Sequence, residues 1–380
     1  MPRNFQNLSF DTDEMLQGLR PWIESESPSF DAAAVNRMMD LVQHDLAALG
    51  ARVERIPGRM GLGGSVRATM PHPRAGQGGI LLLGHMDTVH PIGTLQKLPF
   101  RRDGDVCYGP GLMDMKGGNY VYLDALRKII EAGVETPLPV TVLFTPDEEI
   151  GTPSARALIE GEAKRHSFIL IPEPACPDGS AVIGRYAIAR FNLQARGTPS
   201  HASWALSDGR SAIAEMARKV AEIEAFTTED RSFSVGVIRG GQWVNCVSSI
   251  CDAEVLSMAK TQDLLDEGVQ KMLDLSTENP GVSLDVQRGV TRPLWKEGQP
   301  GTMAMLEVAR DIAKQIGFDL PACAAGGGSD GNFTGALGLA TLDSIGLRGK
   351  GLHTLDEHIE VDSLVERARL AAGLYCRLGA

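Results

Sequence analysis

Several features are scarce in this chain of 380 residues, and each scarcity removes a class of function. Its six cysteines, Cys107, Cys176, Cys246, Cys251, Cys323 and Cys376, stand far apart, with no C-x-x-C pair and none of the density of a disulfide-stapled secreted domain. They read as reduced thiols of a cytoplasmic protein. No run of Lys or Arg is dense enough to follow a phosphate backbone, and the formal net charge is −11, which argues against a nucleic-acid partner. The opening residues MPRNFQNLSFDTDEM lack the apolar core of ~7–15 residues that a signal peptide needs, and no stretch reaches the ~18 apolar residues of a membrane span. The glycines near Gly58–Gly64 do not spell a dinucleotide fingerprint after a strand.

What is present is the composition of a soluble globular protein, 43% hydrophobic and 22% charged. The length exceeds what one core of ~100–200 residues holds, so two domains are expected. Between Asp31 and Gly50 the apolar residues Val35, Met38, Val42, Leu46 and Leu49 recur at helical spacing. Short β-like runs follow at 51–56 and 65–70, then a fully apolar run at 80–83 that ends in GHMDTVHP. The pattern continues as a helix over 118–132, a buried strand over 139–144, a helix over 154–164 and a strand over 167–171. Such alternation predicts a largely parallel sheet with helices on both faces.

From about Tyr186 the texture changes to longer alternating strands, AIARFNLQAR, SFSVGVIRG and ICDAEVLSMA, separated by helical stretches at 211–224 and 263–276. This reads as an inserted α+β domain. After Thr291 the earlier style returns, with a helix over 302–316, a strand over 339–345 and a last helix over 361–378. No internal repeat is found.

Each buried strand of the first region is followed at once by polar residues: HMD, then PDEE, then PEP. In open α/β sheets ligands bind beyond the carboxyl ends of strands, so these clusters should converge. Hydrolytic zinc takes nitrogen from His and oxygen from Asp or Glu and keeps a position open for water. The candidates of that chemistry are His85, Asp87, Asp114, Glu148, Glu149, Glu173 and His353. Singly, each has an ordinary explanation as a solvated turn or a helix cap.

Seven segments stand in one order along nearly the whole chain: GHMDTVHPIGT (84–94), YGPGLMDMKGG (108–118), TPDEEIGT (145–152), PEP (172–174), GTPSHAS (197–203), GGGSDGN (326–332) and GLHTLDEHIEV (351–361). Together they resemble the glutamate carboxypeptidase and acetylornithine deacetylase family of dinuclear zinc peptidases and deacylases. The resemblance implies a zinc-exopeptidase-like three-layer α/β/α catalytic domain at 1–185 and 293–380, interrupted by a ferredoxin-like lid at 186–292 through which a homodimer forms. It makes Asp114 the carboxylate bridging two zinc ions, with His85 and Glu173 on one and Glu149 and His353 on the other. Glu148 becomes the general base, with a zinc-bound hydroxide as nucleophile, and Asp87 holds the His85 ring. His201 stabilises the oxyanion. Cobalt or manganese also suits such mixed nitrogen and oxygen sites.

The implied substrate is a small molecule whose amide or peptide bond lies next to a free carboxylate, with Asn245, Gly327 and a cation holding it. Here the sequence departs from the family. The Arg that follows the lid Asn by thirteen residues in carboxypeptidase-like members is Met258, and the residue after Ala202 is Ser203 where the family usually has Gly. Met cannot imitate a bidentate Arg–carboxylate pair. Arg292, Arg185 or Arg348 can substitute, or the ligand lacks a glutamate-type carboxylate, as an N-acyl amino acid deacylase would allow. Two rivals come from other classes. Gly327–Gly331 spell G-x-S-x-G around Ser329, the pattern of a serine hydrolase, although LPACAA (320–325) is a poor strand for such an elbow. A catalytically inactive binding protein on the same fold is the other.

Overall fold

The computed structural model describes residues 5–380; the first four residues of the amino-terminal stretch lie outside it. The chain divides into two compact units, one comprising the chain up to Gly184 with Lys296–Ala324 and Ser329–Ala380, the other Arg185–Trp295 with Ala325–Gly328. The short glycine-rich piece Ala325–Gly328 thus joins the second unit, although its place in the sequence pattern assigns it to the first.

The first unit is built on an eight-stranded sheet in the order Arg52–Ile56, Ser65–Thr69, Val140–Thr145, Ile80–His85, Phe168–Ile171, Thr341–Asp343, Ala181–Arg185, Ala322–Ala325. Only its centre is parallel: Ile80–His85 pairs in parallel with both Val140–Thr145 and Phe168–Ile171, and Thr341–Asp343 pairs in parallel with Phe168–Ile171. The flanking strands Arg52–Ile56, Ser65–Thr69 and Ala181–Arg185 run antiparallel. The sheet is therefore mixed rather than largely parallel. The expectation failed because alternation of strand and helix reports crossovers and says nothing of hairpin strands added at an edge.

The central strand is buried along its whole length. Successive side chains of a strand point to opposite faces. Ile80 and Leu82 accordingly pack with the helices Ala32–Ala48, Gly117–Glu131, Pro300–Ile316 and Asp362–Arg377, while Leu81 and Leu83 pack with Ile159, Ala163 and Phe333 on the other face. A helix at Thr12–Glu24 that the apolar pattern did not predict also joins the core. Asp11 caps it by accepting from the amides of Asp13 and Glu14 at 2.9 Å. Pro21 near its end gives it an irregular look in sequence, yet Trp22 anchors it by donating to Asp45 at 2.8 Å and meeting Tyr120 edge-on at 5.4 Å.

A four-stranded sheet, Gly349–Lys350, His358–Glu360, Val106–Tyr108 and Arg101–Asp103, matters more for function. It pairs His358 with Tyr108 and Lys350 with His358, so the loop carrying His353 is tied to the segment leading to Asp114.

In the second unit Ala187–Gly197, Ala212–Glu224, Arg231–Gly240, Ile250–Ala259, Gln262–Leu273 and Val282–Arg292 follow as βαββαβ. The strands pair in the order Arg231–Gly240, Ile250–Ala259, Ala187–Gly197, Val282–Arg292, with the short Thr277–Asn279 beyond, which is a ferredoxin-like order. Its core lies on one face, where Phe191, Leu193, Phe233, Val255 and Val286 pack with Met216, Ile223, Leu265 and Met272 of the helices. No helix among the described residues is long and apolar enough to cross a membrane.

Candidate metal centre

The three strand-end clusters of the first unit meet. His85 closes the central strand, and Glu148 and Glu149 lie in the turn after Val140–Thr145, beyond the adjacent strand end. His85 is 1% exposed, and its Nε2 stands 3.3 Å from Asp114 Oδ1 and 3.8 Å from Glu173 Oε1. The other oxygen of Asp114, Oδ2, is 3.2 Å from His353 Nε2, which also stands 3.3 Å from Glu149 Oε2. Asp114 therefore presents each of its oxygens to a different imidazole. Ligand-type atoms of His85, Glu148 and Glu173 lie within 4.8 Å of one another, as do those of His85, Asp114 and Glu149. His353 falls outside both groups and joins through its two pairwise contacts.

At 3.2 to 3.8 Å these contacts are long for hydrogen bonds and straddle the spacing of atoms that share one ion. An ion bonded at ~2.0–2.2 Å to tetrahedrally placed N and O ligands holds those atoms ~3.3–3.6 Å apart. His353 Nε2 faces two carboxylates at once and carries at most one proton, whereas one cation serves all three atoms. The titration behaviour agrees. Burial, together with repulsion from Asp114, pushes Glu149 up to about 8 and Glu173 well above the usual carboxylate range. Burial opposes ionisation of Asp114 too, but hydrogen bonds from His353 and His85 hold it well below that range. The carboxylates of Asp114 and Glu149 beside its Nε2 raise His353 to about 10. Burial disfavours the charged form of His85, and bonds to Asp114 and Asp87 nevertheless raise it well above its ordinary value. So much buried acid competing for protons is a donor set short of positive charge. Lys116 does not supply it, since its Nζ donates to the carbonyls of Trp22 and Ser25 at 3.2 and 2.8 Å, and burial lowers it to about 7.

Asp87 is fully buried and faces His85 Nδ1 through both its backbone oxygen, at 3.0 Å, and Oδ1, at 3.3 Å. The same carboxylate also grips backbone. Its Oδ1 accepts from the amide of Glu148 at 3.1 Å and its Oδ2 from that of Glu149 at 3.3 Å, while Ser29 Oγ donates to Oδ2 at 2.6 Å. One carboxylate thus orients a ring and pins the acidic turn, the kind of outer partnership that fixes ligand geometry. Close approach is needed nearby. A Cβ at Gly118 would stand 2.0 Å from the carbonyl oxygen of Pro172, and one at Gly84 would stand 2.0 Å from Asn119 Oδ1, so neither position accepts a side chain.

Pattern reading misses Glu357, which is 1% exposed. Its Oε1 accepts from the amides of Met113 and Asp114 at 2.8 and 3.1 Å, and its Oε2 accepts from the amide of Gly111 at 2.9 Å and pairs with His90 Nε2 at 2.6 Å. Glu357 shapes the backbone that carries Asp114. Its position four residues after His353 in GLHTLDEHIEV is the available signal, and side-chain chemistry alone does not separate it from a surface acid.

The remaining candidates belong to the second unit. His201 is exposed and its Nδ1 accepts from the amides of Ser203 and Trp204 at 3.2 and 3.4 Å, leaving Nε2 to carry the proton outward. The carbonyl of Asn245 accepts from the amide of Ala202 at 2.9 Å, so His201 and Asn245 share one loop cluster. Met258, Ile188 and Arg292 occupy one row across three neighbouring strands. Arg292 is buried, and its Cδ and the Ile188 Cδ1 would lie 2.6 and 2.7 Å from a Cβ at Gly328. Arg185 donates to the carbonyl of Gly327 at 2.7 Å. Arg348, in contrast, is occupied in the first unit by Glu360 and Asp362, each at 2.9 Å, and by Glu366, which removes it as a substitute for the missing Arg. Ser329 is fully buried and donates to Asp343 Oδ2 at 2.5 Å. A strand does precede it at Ala322–Ala325, contrary to expectation, but it ends the sheet and is only half-buried. A hydroxyl so enclosed is not an exposed nucleophile.

Comparison with known proteins decides the family. Residues 81–377 match the sequence pattern of Peptidase family M20/M25/M40. The chain belongs to that family. It is 30% identical to carboxypeptidase G2 of Pseudomonas sp. (strain RS-16) over 99% of this chain and 92% of that one. It is 24% identical to succinyl-diaminopimelate desuccinylase of Thioalkalivibrio sulfidiphilus, covering 80% of this chain and 85% of the other. Among solved structures, aminopeptidase PepT from Bacillus cereus shares the fold with a TM-score of 0.74 at 22% identity, over 97% of this chain and 99% of that one. The M20 chain is a metal-dependent hydrolase of the peptidase and deacylase type.

Proposed function

We propose that this M20 enzyme hydrolyses an amide or peptide bond in a small substrate that bears a free carboxylate, in the manner of a glutamate carboxypeptidase. The observation that carries the reading is the placement of the two Asp114 oxygens against two different imidazoles, with Glu149 and Glu173 beside them. In this reading His85, Asp114 and Glu173 would hold one zinc ion and Asp114, Glu149 and His353 would hold a second, with cobalt or manganese as alternatives. When bound, such ions supply Lewis acidity towards a water and an amide carbonyl oxygen.

The chain's own residues do the rest. Glu148 takes a proton from the attacking water and returns it to the leaving amine. The Asp87 carboxylate holds the amides of Glu148 and Glu149, so the base and a ligand keep fixed and different directions. His201, with Nε2 as its proton-bearing nitrogen, donates to the oxygen that becomes negative as the carbonyl is attacked. Asn245, Gly327 and Arg292 recognise the carboxylate. Arg292 is favoured over Arg185 because it stands in the row of Met258, two strands away, where its cation can replace the absent one. We further infer a lid role for the second unit and a homodimer through it. The strand Arg231–Gly240 ends its sheet; Thr227, Thr228 and Glu224 bond its outer edge as far as Val235, and the stretch beyond Val235 is the part available for that contact. The six free cysteines suit a reducing, cytoplasmic setting.

A second reading, an N-acyl amino acid deacylase, is favoured by Met258 and by the similarity to a desuccinylase. A screen of N-acyl amino acids, dipeptides and aryl amides with zinc-loaded protein separates the two, with chelated protein as control. Activity on C-terminal glutamate peptides supports the first reading and activity confined to simple N-acyl amino acids the second. Turnover that survives chelation refutes both.

A further inference from the structure

Beside the metal centre, within the first unit, lies a cavity of about 470 Å³ whose wall includes His353 itself. Three apolar side chains line it while remaining open to solvent: Val89 is 40% exposed, Ile92 54% and Leu355 51%. Single exposed apolar residues need no explanation, but three facing one space next to a candidate metal-binding histidine do. The loop that carries two of them is built rigidly. The Glu26 carboxylate accepts from the amides of Gly93 and Leu95 at 2.8 and 2.9 Å, and Thr94 Oγ1 donates to the carbonyl of Pro91 at 2.7 Å. Gly93 turns the chain with φ of 91°, which a side chain disfavours. His90 is held by Glu357, the same carboxylate that shapes the Asp114 loop. The apolar wall is thus fixed in register with the metal centre. Among the lining residues Lys97 is the one Lys or Arg, and no acid joins it there.

We propose that this cavity is the subsite for the acyl side of the substrate and that it selects an apolar group, an aryl or branched aliphatic acyl chain. The inference rests on the hydrolase reading given above, which assigns the free carboxylate to Asn245, Gly327 and Arg292 and leaves the opposite substituent of the scissile bond to be housed. A volume of this size takes a ring with its linker. Lys97 at the rim disfavours a cationic acyl group and accepts one that ends in an anion.

The test uses the metal-loaded full chain and pairs of substrates that share an amino acid and differ as N-benzoyl against N-acetyl. Burying a ring rather than a methyl group predicts a preference for benzoyl of about ten- to a hundredfold in kcat/KM. Ile92→Asp should bring that ratio towards one, and Ile130→Asp, an exposed position remote in sequence, should leave it as in wild type. Equal turnover within the pairs, or a preference that survives Ile92→Asp, overturns the subsite while leaving the hydrolase reading intact. A second readout needs no turnover: benzamide, added to chain with methyl-labelled Val89, Ile92 and Leu355, should shift those resonances. Should no amide be cut, the hydrolase reading fails, and the methyl shifts still judge the cavity. Unshifted methyls overturn the proposal.

Discussion

Replacing Glu357 by Gln tests how the Asp114 loop is held. The carboxylate is buried and serves three backbone amides and an imidazole. A glutamine that keeps its oxygen at the Oε1 position still accepts from Met113 and Asp114, but its NH2 then faces the amide of Gly111. That leaves one buried donor unsatisfied, about 1–3 kcal/mol, and removes charge assistance from the remaining bonds, about 1 kcal/mol more. The loss of roughly 2–4 kcal/mol falls on the loop from Gly111 to Asp114 rather than on the core. Metal affinity should drop about 10–100-fold, as when outer partners of ligands are removed. Two measurements check this: competition of the protein with a metal-binding dye, and hydrogen exchange at the amides of Gly111, Met113 and Asp114. Faster exchange at those three with a preserved far-ultraviolet spectrum is the expected pattern. Wild-type metal affinity together with unchanged protection of those amides would refute the reasoning.

Glu148→Gln should retain metal while kcat falls on the order of 10²–10⁴-fold, the usual share of a general acid–base. Because Glu148 also lies within 4.8 Å of His85 and Glu173, loss of metal instead would make it a ligand and remove it as the base. His353→Ala removes the partner shared by Asp114 and Glu149, and metal analysis after gel filtration should show reduced content; full occupancy contradicts the ligand set. Glu162 takes no part in this chemistry and is bonded to His166 at 3.1 Å and Arg67 at 2.8 Å. The His166 bond is the main cause that lowers it to about 2, with Arg67 adding to the shift. Its folded pKa lies below the unfolded value, so its contribution is complete above the ordinary carboxylate range and is lost as pH falls towards 2. Thermal melts of Glu162→Gln should therefore show a shallower loss of stability over that interval than wild type, and parallel acid limbs would count against the assignment.

The parts of the fold that can be read from sequence are those where periodicity reports burial. The strand Ile80–His85 announces itself as a continuous apolar run because both its faces are covered, and Ile250–Ala259 alternates because only one of its faces meets the helices of its unit. Thr12–Glu24 escapes because Pro21 and an acidic start mask a helix whose hold on the core is concentrated in Leu19, Trp22 and Ile23. Edge strands such as Ala322–Ala325 escape because half-buried pairing asks little of side chains. Strand direction is set by how connections return, which composition does not record.

The site shows the same division in sharper form. His85, Glu149 and Glu173 stand out because each lies at or just beyond the end of a buried strand, whereas Asp114, in a kinked helical turn, and His353, in a loop turn, stand out only through the motifs of the family resemblance. The carboxylates of Asp87 and Glu357 act largely on backbone amides, a partner that every residue offers and that therefore leaves no mark in the sequence of the segment being held. Asp87 shows itself only through its spacing from His85, and nothing in the sequence reveals its hold on the Glu148–Glu149 turn. The two acids nonetheless divide one problem. Buried carboxylates this close together repel one another when no cation lies between them, and backbone anchored at 111–114 and at 148–149 resists that spreading from both sides. A double variant, Asp87→Asn with Glu357→Gln, should then lose more metal affinity than the two single variants predict by addition, because each anchor alone still limits the movement of Asp114 relative to Glu149. Strict additivity in the dye competition would mean that the two loops respond independently and that the anchors share no common strain.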